Sequence, residues 1–298
     1  MANQDFVGVP SQVDARSLTR SATDFQRLRR GLLINYIVLG AGAILMIVPF
    51  IWMISTSFKP QAETVSFPPR LFPINPTISN YIDVFDRANM GQLYWNTTFI
   101  SVIKTIFNIY TSALLGYIFG KFVFRGRDII FYILLSTWII PFEVYLIPLY
   151  LMTVQVGWAD TYTALIVPEI FTIYAMFMFR QFMYTIPTEL IDAARIDGAG
   201  EWYIFHRIII PLSRAALFTL IAFYFMWNWN DFLWPLVVIS SHDKYVITVG
   251  LATFVGEFWN QYGVIMAGAS LAIIPILALF IAVQRFIIEG VVLTGLKG

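Results

Sequence analysis

Pro187-Thr188-Glu189-Leu190-Ile191-Asp192-Ala193-Ala194-Arg195-Ile196-Asp197-Gly198-Ala199-Gly200-Glu201-Trp202-Tyr203-Ile204-Phe205-His206-Arg207-Ile208-Ile209-Ile210-Pro211-Leu212 is a charged, helix-capable island set between long apolar runs. It is too polar to cross a bilayer and too regularly patterned to be a slack connector. The rest of the chain is read from the contrast between this island and its flanks.

Only 12% of the 298 residues are charged, while 58% are hydrophobic and 17% aromatic. A soluble domain carries about 25% charged residues, so this composition describes a polytopic membrane protein, with lipid as its surroundings. A net charge of +1 without a dense Lys/Arg tract gives nucleic acid nothing to bind. With no cysteine, disulfides, thiolate chemistry and Cys-ligated metals are excluded, and His206 and His242 fall in separate loops. No metal-binding or catalytic residue is expected.

A span needs about 20 mostly apolar residues. By that measure six helices are expected, at 31–56, 95–120, 129–154, 162–180, 215–239 and 264–284. The expected class is therefore all-α: a six-helix transmembrane bundle over 31–298, preceded by a polar tail over 1–30. The first apolar run, charge-free from Gly31 to Phe58, exceeds the h-region of about 7–15 residues in a cleaved signal, and it reads as a retained span. Pro60, Pro68, Pro69, Pro73 and Pro76 deny a continuous helix to the connector over 59–94.

Lys and Arg gather on the cytoplasmic side of membrane proteins. With the N-terminus inside, fourteen of the 19 fall in the first tail, 121–127, 180–214 and the C-terminal end; only Lys59, Arg70, Arg87 and Lys244 fall outside, and Lys104 lies within a span. Both termini and the island over 187–212 are expected in the cytoplasm.

Within the island, Pro187 suits a helix start, and Glu189 and Asp192 favour the positive end of a helix dipole. A short helix over 188–197 is expected, then a break at Gly198-Ala199-Gly200. A second helix from Glu201 to Ile210 follows, with Pro211 opening the next element. The product is a helix-turn-helix knob presenting Ala193 and Ala194, small enough for close approach by a partner. A plainer reading is an amphipathic hairpin lying on the membrane surface.

The spacing Asp192-Ala193-Ala194, three residues, Gly198, nine residues, Ile208, two residues, Pro211 resembles the coupling loop, or EAA motif, of ATP-binding-cassette (ABC) importer permeases. It sits between the fourth and fifth spans, as in that family. Ser57-Phe58-Lys59, Asn80-Tyr81, Ile147-Pro148-Leu149-Tyr150, Trp227-Asn228-Trp229-Asn230-Asp231-Phe232 and Trp234-Pro235-Leu236 are similar to the binding-protein-dependent carbohydrate, maltose-type subfamily. So are Gln284-Arg285-Phe286-Ile287-Ile288-Glu289-Gly290 and Thr294-Gly295-Leu296-Lys297-Gly298. The likeness covers nearly 31–298; Asp192 stands where Glu is usual and Ile210 where Leu is usual.

The resemblance implies a transport subunit of a bacterial cytoplasmic (inner) membrane importer, and it assigns roles that the residues alone do not. Glu189, Asp192, Ala193, Ala194, Asp197, Gly198, Ile208 and Pro211 would couple to an ATPase. The implied partners are a second related permease subunit, two cytoplasmic ATPase subunits holding ATP and Mg, and an extracytoplasmic solute-binding protein delivering a sugar or oligosaccharide. The same subfamily includes carriers of polyol phosphates and acidic sugars. This chain has no Gly-x-x-x-x-Gly-Lys-Ser/Thr loop, so hydrolysis would be done elsewhere.

Ionisable residues inside a span cost about 2.5–3.5 kcal/mol each at the helix centre and need a partner or a wet lining. On straight helices Lys104 lies about 13 Å below one surface and Glu143 about 21 Å above the other, similar depths in a core of about 30 Å. A Lys104–Glu143 pair joining the second and third spans is expected. Asn228, Asn230 and Asp231 among Trp227, Trp229 and Trp234 suit a hydroxyl-rich ligand; an interfacial aromatic belt with interhelical hydrogen bonds fits them equally. Glu143, Trp227, Asn228, Asn230 and Asp231 are thus the candidate substrate pathway, and Glu169 beside Pro168 serves to satisfy a kinked fourth helix. The alternative function is a secondary transporter or channel using Glu143, Glu169 or Asp231 in an ion path. A membrane-embedded glycan-processing enzyme would need clustered loop carboxylates, which are missing.

Overall fold

The computed structural model describes residues 15–257 and 259–295, and every regular element among them is helical. The chain divides into two units, the second starting at Thr56. Helix α1 (Ala15–Ser57), whose last two residues belong to the second unit, starts well before the expected residue 31, so 15–30 of the expected polar tail are helical; residues 1–14 of that tail lie outside the described residues.

The second unit runs α2 (Gln61–Thr64), α3 (Ser79–Arg87), α4 (Met90–Lys121), α5 (Arg127–Thr137), α6 (Phe142–Gln155) and α7 (Tyr162–Ile166). After a 3-10 turn at Val167–Glu169 come α8 (Ile173–Met183), α9 (Thr188–Ile196) and α10 (Glu201–Ile204), and a π turn (Phe205–Ile209) leads to α11 (Ile210–Leu212). The chain then forms α12 (Arg214–Trp229), α13 (Leu233–Val238), a 3-10 turn at His242–Lys244, α14 (Ile247–Glu257) and α15 (Tyr262–Gly295). Among the described residues four stretches are long and apolar enough to cross a membrane: Asn35–Ser57, Met90–Lys121, Tyr162–Met183 and Tyr262–Gln284. Two bent pairs, Arg127–Thr137 with Phe142–Gln155 and Glu201–Leu212 with Arg214–Val238, raise the number to six if each is one span.

Three expected spans are broken, the fourth span where a kink was expected, and proline explains each break. A proline clashes with the carbonyl four residues before it and removes an amide donor. Pro141 stands four residues after Thr137, where α5 ends, and the third span bends there by 95°. Pro168 interrupts the fourth span; the Ala164 carbonyl it displaces accepts the indole N–H of Trp234 at 2.9 Å. Pro235 stands four after Asp231, in the gap between α12 and α13, and the Asp231 carbonyl accepts the Thr248 hydroxyl at 2.5 Å. In α15, Pro275 stands four after Leu271, whose carbonyl accepts Tyr94 O–H, while Trp229 N–H reaches the neighbouring Ala272 carbonyl at 3.2 Å. In hydrocarbon such freed groups have no water to turn to, so other elements must satisfy them.

Helix α4 is continuous and contributes buried residues to four apolar clusters, among them Ile109 and Tyr117, Met90 and Leu93, Ile100, and Phe119. Its Gly116 and Gly120 let α8 come close: an added Cβ would lie 2.8 Å from Phe179 Cβ and 2.6 Å from Met183 Cβ respectively. This small-xxx-small spacing is how membrane helices pack most closely. At the end of the bundle remote from α9, Asp160 accepts the amides of Ser240 and Ser241 at 3.0 Å each and pairs with Lys244 at 3.1 Å. The Ser241 hydrogen bonds, foremost among its partners, hold the Asp160 carboxyl well below the usual carboxylate range.

Trp234→Phe keeps the buried ring but leaves the Ala164 carbonyl without its donor. A loss of about 1–3 kcal/mol is expected for such an orphaned group, read as a lowered midpoint in thermal unfolding of the purified protein. An unchanged midpoint would contradict this role for the indole.

Candidate functional site

The knob begins where Pro187, with φ −59° and ψ 133°, hands over to α9. Its base is tied to α4 by Lys121, whose Nζ donates to the Ile186 carbonyl at 2.5 Å and to Thr188 Oγ1 at 3.2 Å. Helix α9 ends in a Schellman arrangement, with Gly198 N–H donating to the Arg195 carbonyl at 3.0 Å and Ala199 N–H to the Ala194 carbonyl at 2.9 Å. Gly198 has φ +83°, the left-handed conformation that favours glycine.

The second limb begins at Glu201, as expected, but does not stop at Ile210. It widens into the π turn, where Ile210 N–H reaches the Phe205 carbonyl, and continues through Pro211 to Leu212. The wide turn directly before Pro211 lets a helical run accommodate a residue with no amide. Pro211 therefore lies within the limb, and the next element opens at Arg214.

Ile191, Ile204, Phe205 and Ile209 are at most 1% exposed, and they pack with Ile109, Ala113 and Tyr117 of α4 and Phe179 and Met183 of α8. Above this apolar seat, Arg195 Nη1 lies 3.0 Å from Asp192 Oδ1 and its Nε 2.7 Å from Glu201 Oε1. Tyr117 O–H donates to Glu201 Oε2 at 2.8 Å. Glu201 thus joins both limbs to α4, and its hydrogen bond from Arg195 holds its carboxyl below the ordinary range.

The expected coupling residues separate into two groups. Glu189, Asp192, Ala193, Asp197 and Gly198 are exposed. Ala194 and Ile208 are half-buried against the apolar cluster and Pro211 is half-buried, so Ala194 is less open than Ala193. Sequence reasoning missed Leu190, Ile196, Trp202 and Tyr203, which are 48%, 86%, 63% and 59% exposed. The signal was there: in Leu190-Ile191 and Tyr203-Ile204 two adjacent apolar residues cannot both face one core.

Midway along α4 lies a polar layer. Lys104, 3% exposed, bonds Glu169 Oε2 at 2.5 Å and Asp231 Oδ2 at 2.9 Å. The expected Lys104–Glu143 pair is not formed. The depth comparison behind it assumed a straight third span, and the 95° bend at Pro141 instead puts Glu143 in the first turn of α6, exposed. Asn108 Nδ2 donates to the Glu169 carbonyl at 2.5 Å, Thr111 to the Ile170 carbonyl at 3.1 Å and Ser112 to the Thr172 carbonyl at 3.2 Å. The polar side of α4 thereby satisfies the break in the fourth span, and Glu169 is one arm of an ion cluster rather than only a kink partner.

Asn228 is buried and donates to Thr105 Oγ1 and Asn108 Oδ1, both at 3.1 Å, so it ties α12 to α4 and offers no ligand surface. Trp229 and Trp234 are buried too. Of the candidate pathway residues, Trp227, Asn230 and Glu143 are exposed, with Asn230 turned to the Met226 carbonyl of its own helix at 2.7 Å. Asp231 is half-buried in the ion cluster. Among the described residues no group of three His, Cys, Asp or Glu could hold a metal ion.

The described residues thus form broken, membrane-length helices with a knob seated on them by buried apolar side chains. The family described as binding-protein-dependent transport system inner membrane component matches residues 112–291. The arabinooligosaccharides transport system permease protein AraQ of Halalkalibacterium halodurans is 36% identical, over 86% of this chain and 93% of the relative. The lactose transport system permease protein LacG of Rhizobium radiobacter is 35% identical, over 88% and 96%. The sn-glycerol-3-phosphate transport system permease protein UgpE of Brucella abortus is 30% identical, over 88% and 96%. A crystal structure of a bacterial ABC transporter involved in alginate import shares the fold, with a TM-score of 0.75 and 23% identity over 87% of this chain and 97% of that one.

The chain belongs to the inner membrane component family of binding-protein-dependent transport systems. It is a permease subunit of an ATP-driven importer and not itself an enzyme; the gradient-driven alternative falls away.

A Cβ at Gly198 would meet nothing within 4 Å, so a substitution there is opposed by backbone conformation and not by contacts within this chain. Left-handed φ costs an ordinary L-residue about 1–2 kcal/mol, and Asn tolerates it better. Gly198→Val is expected to raise amide exchange at positions 198 and 199 roughly tenfold and Gly198→Asn distinctly less. Equal exchange in both variants would contradict the conformational account.

Proposed function

We propose that the knob over 187–212 is the docking element for a cytoplasmic ATPase subunit, and that the pathway carries a sugar or oligosaccharide delivered by an extracytoplasmic solute-binding protein. The carrying observation is the knob itself: Leu190, Ile196, Trp202 and Tyr203 are exposed apolar groups on a support that four buried side chains and the Arg195–Glu201–Tyr117 chain hold rigid. Interface cores are enriched in aromatic anchors. Glu189, Asp192, Ala193, Asp197 and Gly198 are exposed on the same knob, while half-buried Ala194, Ile208 and Pro211 set its shape from within.

One knob serves one ATPase, so the complete importer holds a second related permease and two ATPase subunits, which bind ATP and Mg. The charge bias supports a cytoplasmic knob and cytoplasmic termini. The sugar assignment is supported by the relatives named for arabinooligosaccharides and lactose. Exposed Trp227, Asn230 and Glu143 are this chain's candidates for lining the cargo path.

Co-purification of the tagged chain from its native membrane tests the assembly. Recovery of a second permease and an ATPase with a phosphate-binding loop is expected, with sugar uptake in proteoliposomes that requires ATP and the binding protein. Gly198→Asp, which adds charge and strain at the knob's tip, should lower uptake at least tenfold; wild-type uptake and ATPase stimulation in that variant would contradict the docking role.

A further inference from the structure

The continuous helix α4 holds the knob at one end of a stretch and the breaks of two other spans at the other. At a rise of about 1.5 Å per residue, Lys104 and Tyr117 lie about 20 Å apart along it. At the knob end, Tyr117 bonds Glu201 and Lys121 bonds the Ile186 carbonyl and Thr188, while Gly116 and Gly120 press α4 against α8. At the other end, Lys104 holds two carboxylates, and both come from discontinuities. Glu169 closes the 3-10 turn of the fourth span, and Asp231 occupies the gap between α12 and α13 in the fifth.

The backbone at these breaks is likewise held from outside its own helix. Asn108 of α4 takes the Glu169 carbonyl, and Thr248 of α14 takes that of Asp231. A tie between two helices needs one carboxylate; the second carboxylate brings a second broken span onto the same ammonium. Lys104 is 3% exposed, against 27% for Glu169 and 16% for Asp231, so the cation is the hub of the cluster and the acids are its rim.

We infer that Lys104 is a positioning residue for transport, making the broken midsections of the fourth and fifth spans move with α4 so that displacement of the knob reaches mid-membrane. The inference rests on the docking reading of the knob. Without this hub the knob and the lower part of α4 could shift while the breaks above them stayed behind.

The test uses the complete importer in proteoliposomes, with this chain carrying Lys104→Met, Glu169→Gln and Asp231→Asn together. All three charges are removed, so none is left buried without a partner. The expected result is a complex recovered with its partner subunits that still hydrolyses ATP but imports at least tenfold less cargo per ATP. Wild-type uptake per ATP would overturn the positioning role. Failure of the unaltered importer to show ATP-driven uptake would instead strike the docking reading.

A second measurement decides the matter even if the triple variant does not assemble. The chain has no cysteine, so Val102→Cys on α4 and Phe232→Cys beside the break can each carry a spin label in this subunit, both sites being exposed. The two labels should keep one separation in the nucleotide-free and ATP-trapped complexes. A shift between those states larger than the label's own spread would show the break moving apart from α4 and overturn the inference.

Discussion

Hydrocarbon offers no partner to a freed carbonyl or a lone charge, and the architecture of this chain follows from how it meets that constraint. Pro141, Pro168, Pro235 and Pro275 each break or strain a span, and each would strand the carbonyl four residues earlier. The indole of Trp234, the hydroxyl of Thr248 and the phenol of Tyr94 take up those of Ala164, Asp231 and Leu271. Broken spans are therefore stable here because particular side chains on neighbouring elements complete them. Those contacts also lock the elements to one another, so the prolines act as connectors as much as breakers.

Helix α4 carries most of this work. Its polar side, Lys104, Thr105, Asn108, Thr111 and Ser112, faces the breaks, and its glycines admit α8. Its last turns seat the knob through Tyr117 and Lys121. A knob that docks an ATPase, as proposed, must be stiff to transmit a push. Stiffness comes from the buried Ile191, Ile204, Phe205 and Ile209 beneath it and from Arg195 clamping one limb to the other. Exposed ion pairs alone contribute little, typically about 0–1 kcal/mol each, so the apolar seat holds the knob and the charged chain sets its angle.

The membrane class and the bounds of α9 were legible in the sequence because apolar run length and glycine placement are local properties. The ion cluster was not, because a depth estimate along straight helices cannot see a bend. Pro141 could have flagged a break in the third span, but not that Glu143 would be carried away from Lys104 while Glu169 and Asp231 converged on it. The recurrence of Lys104, Asn108 and Ser112 at steps of four marks one side of a helix and could have flagged α4 as the polar rib. For Asn228 a ligand surface and interhelical hydrogen bonds fitted the sequence equally, because composition does not say which way a side chain turns; it faces Thr105 and Asn108, so the interhelical reading is the one that holds. In the knob, the heptapeptide from Asp192 to Gly198 was readable, whereas the π turn before Pro211 depends on packing beneath it.

Contact between the knob and the ATPase can be read by proximity labelling. Ile196, 86% exposed at the end of α9, is replaced by cysteine in this otherwise cysteine-free chain and carries a benzophenone in the native-membrane complex. The account expects photoproducts joining this chain to the ATPase subunit, their yield changing when ATP is trapped. Photoproducts confined to lipid or to this chain itself, in membranes where importer activity persists, would contradict it.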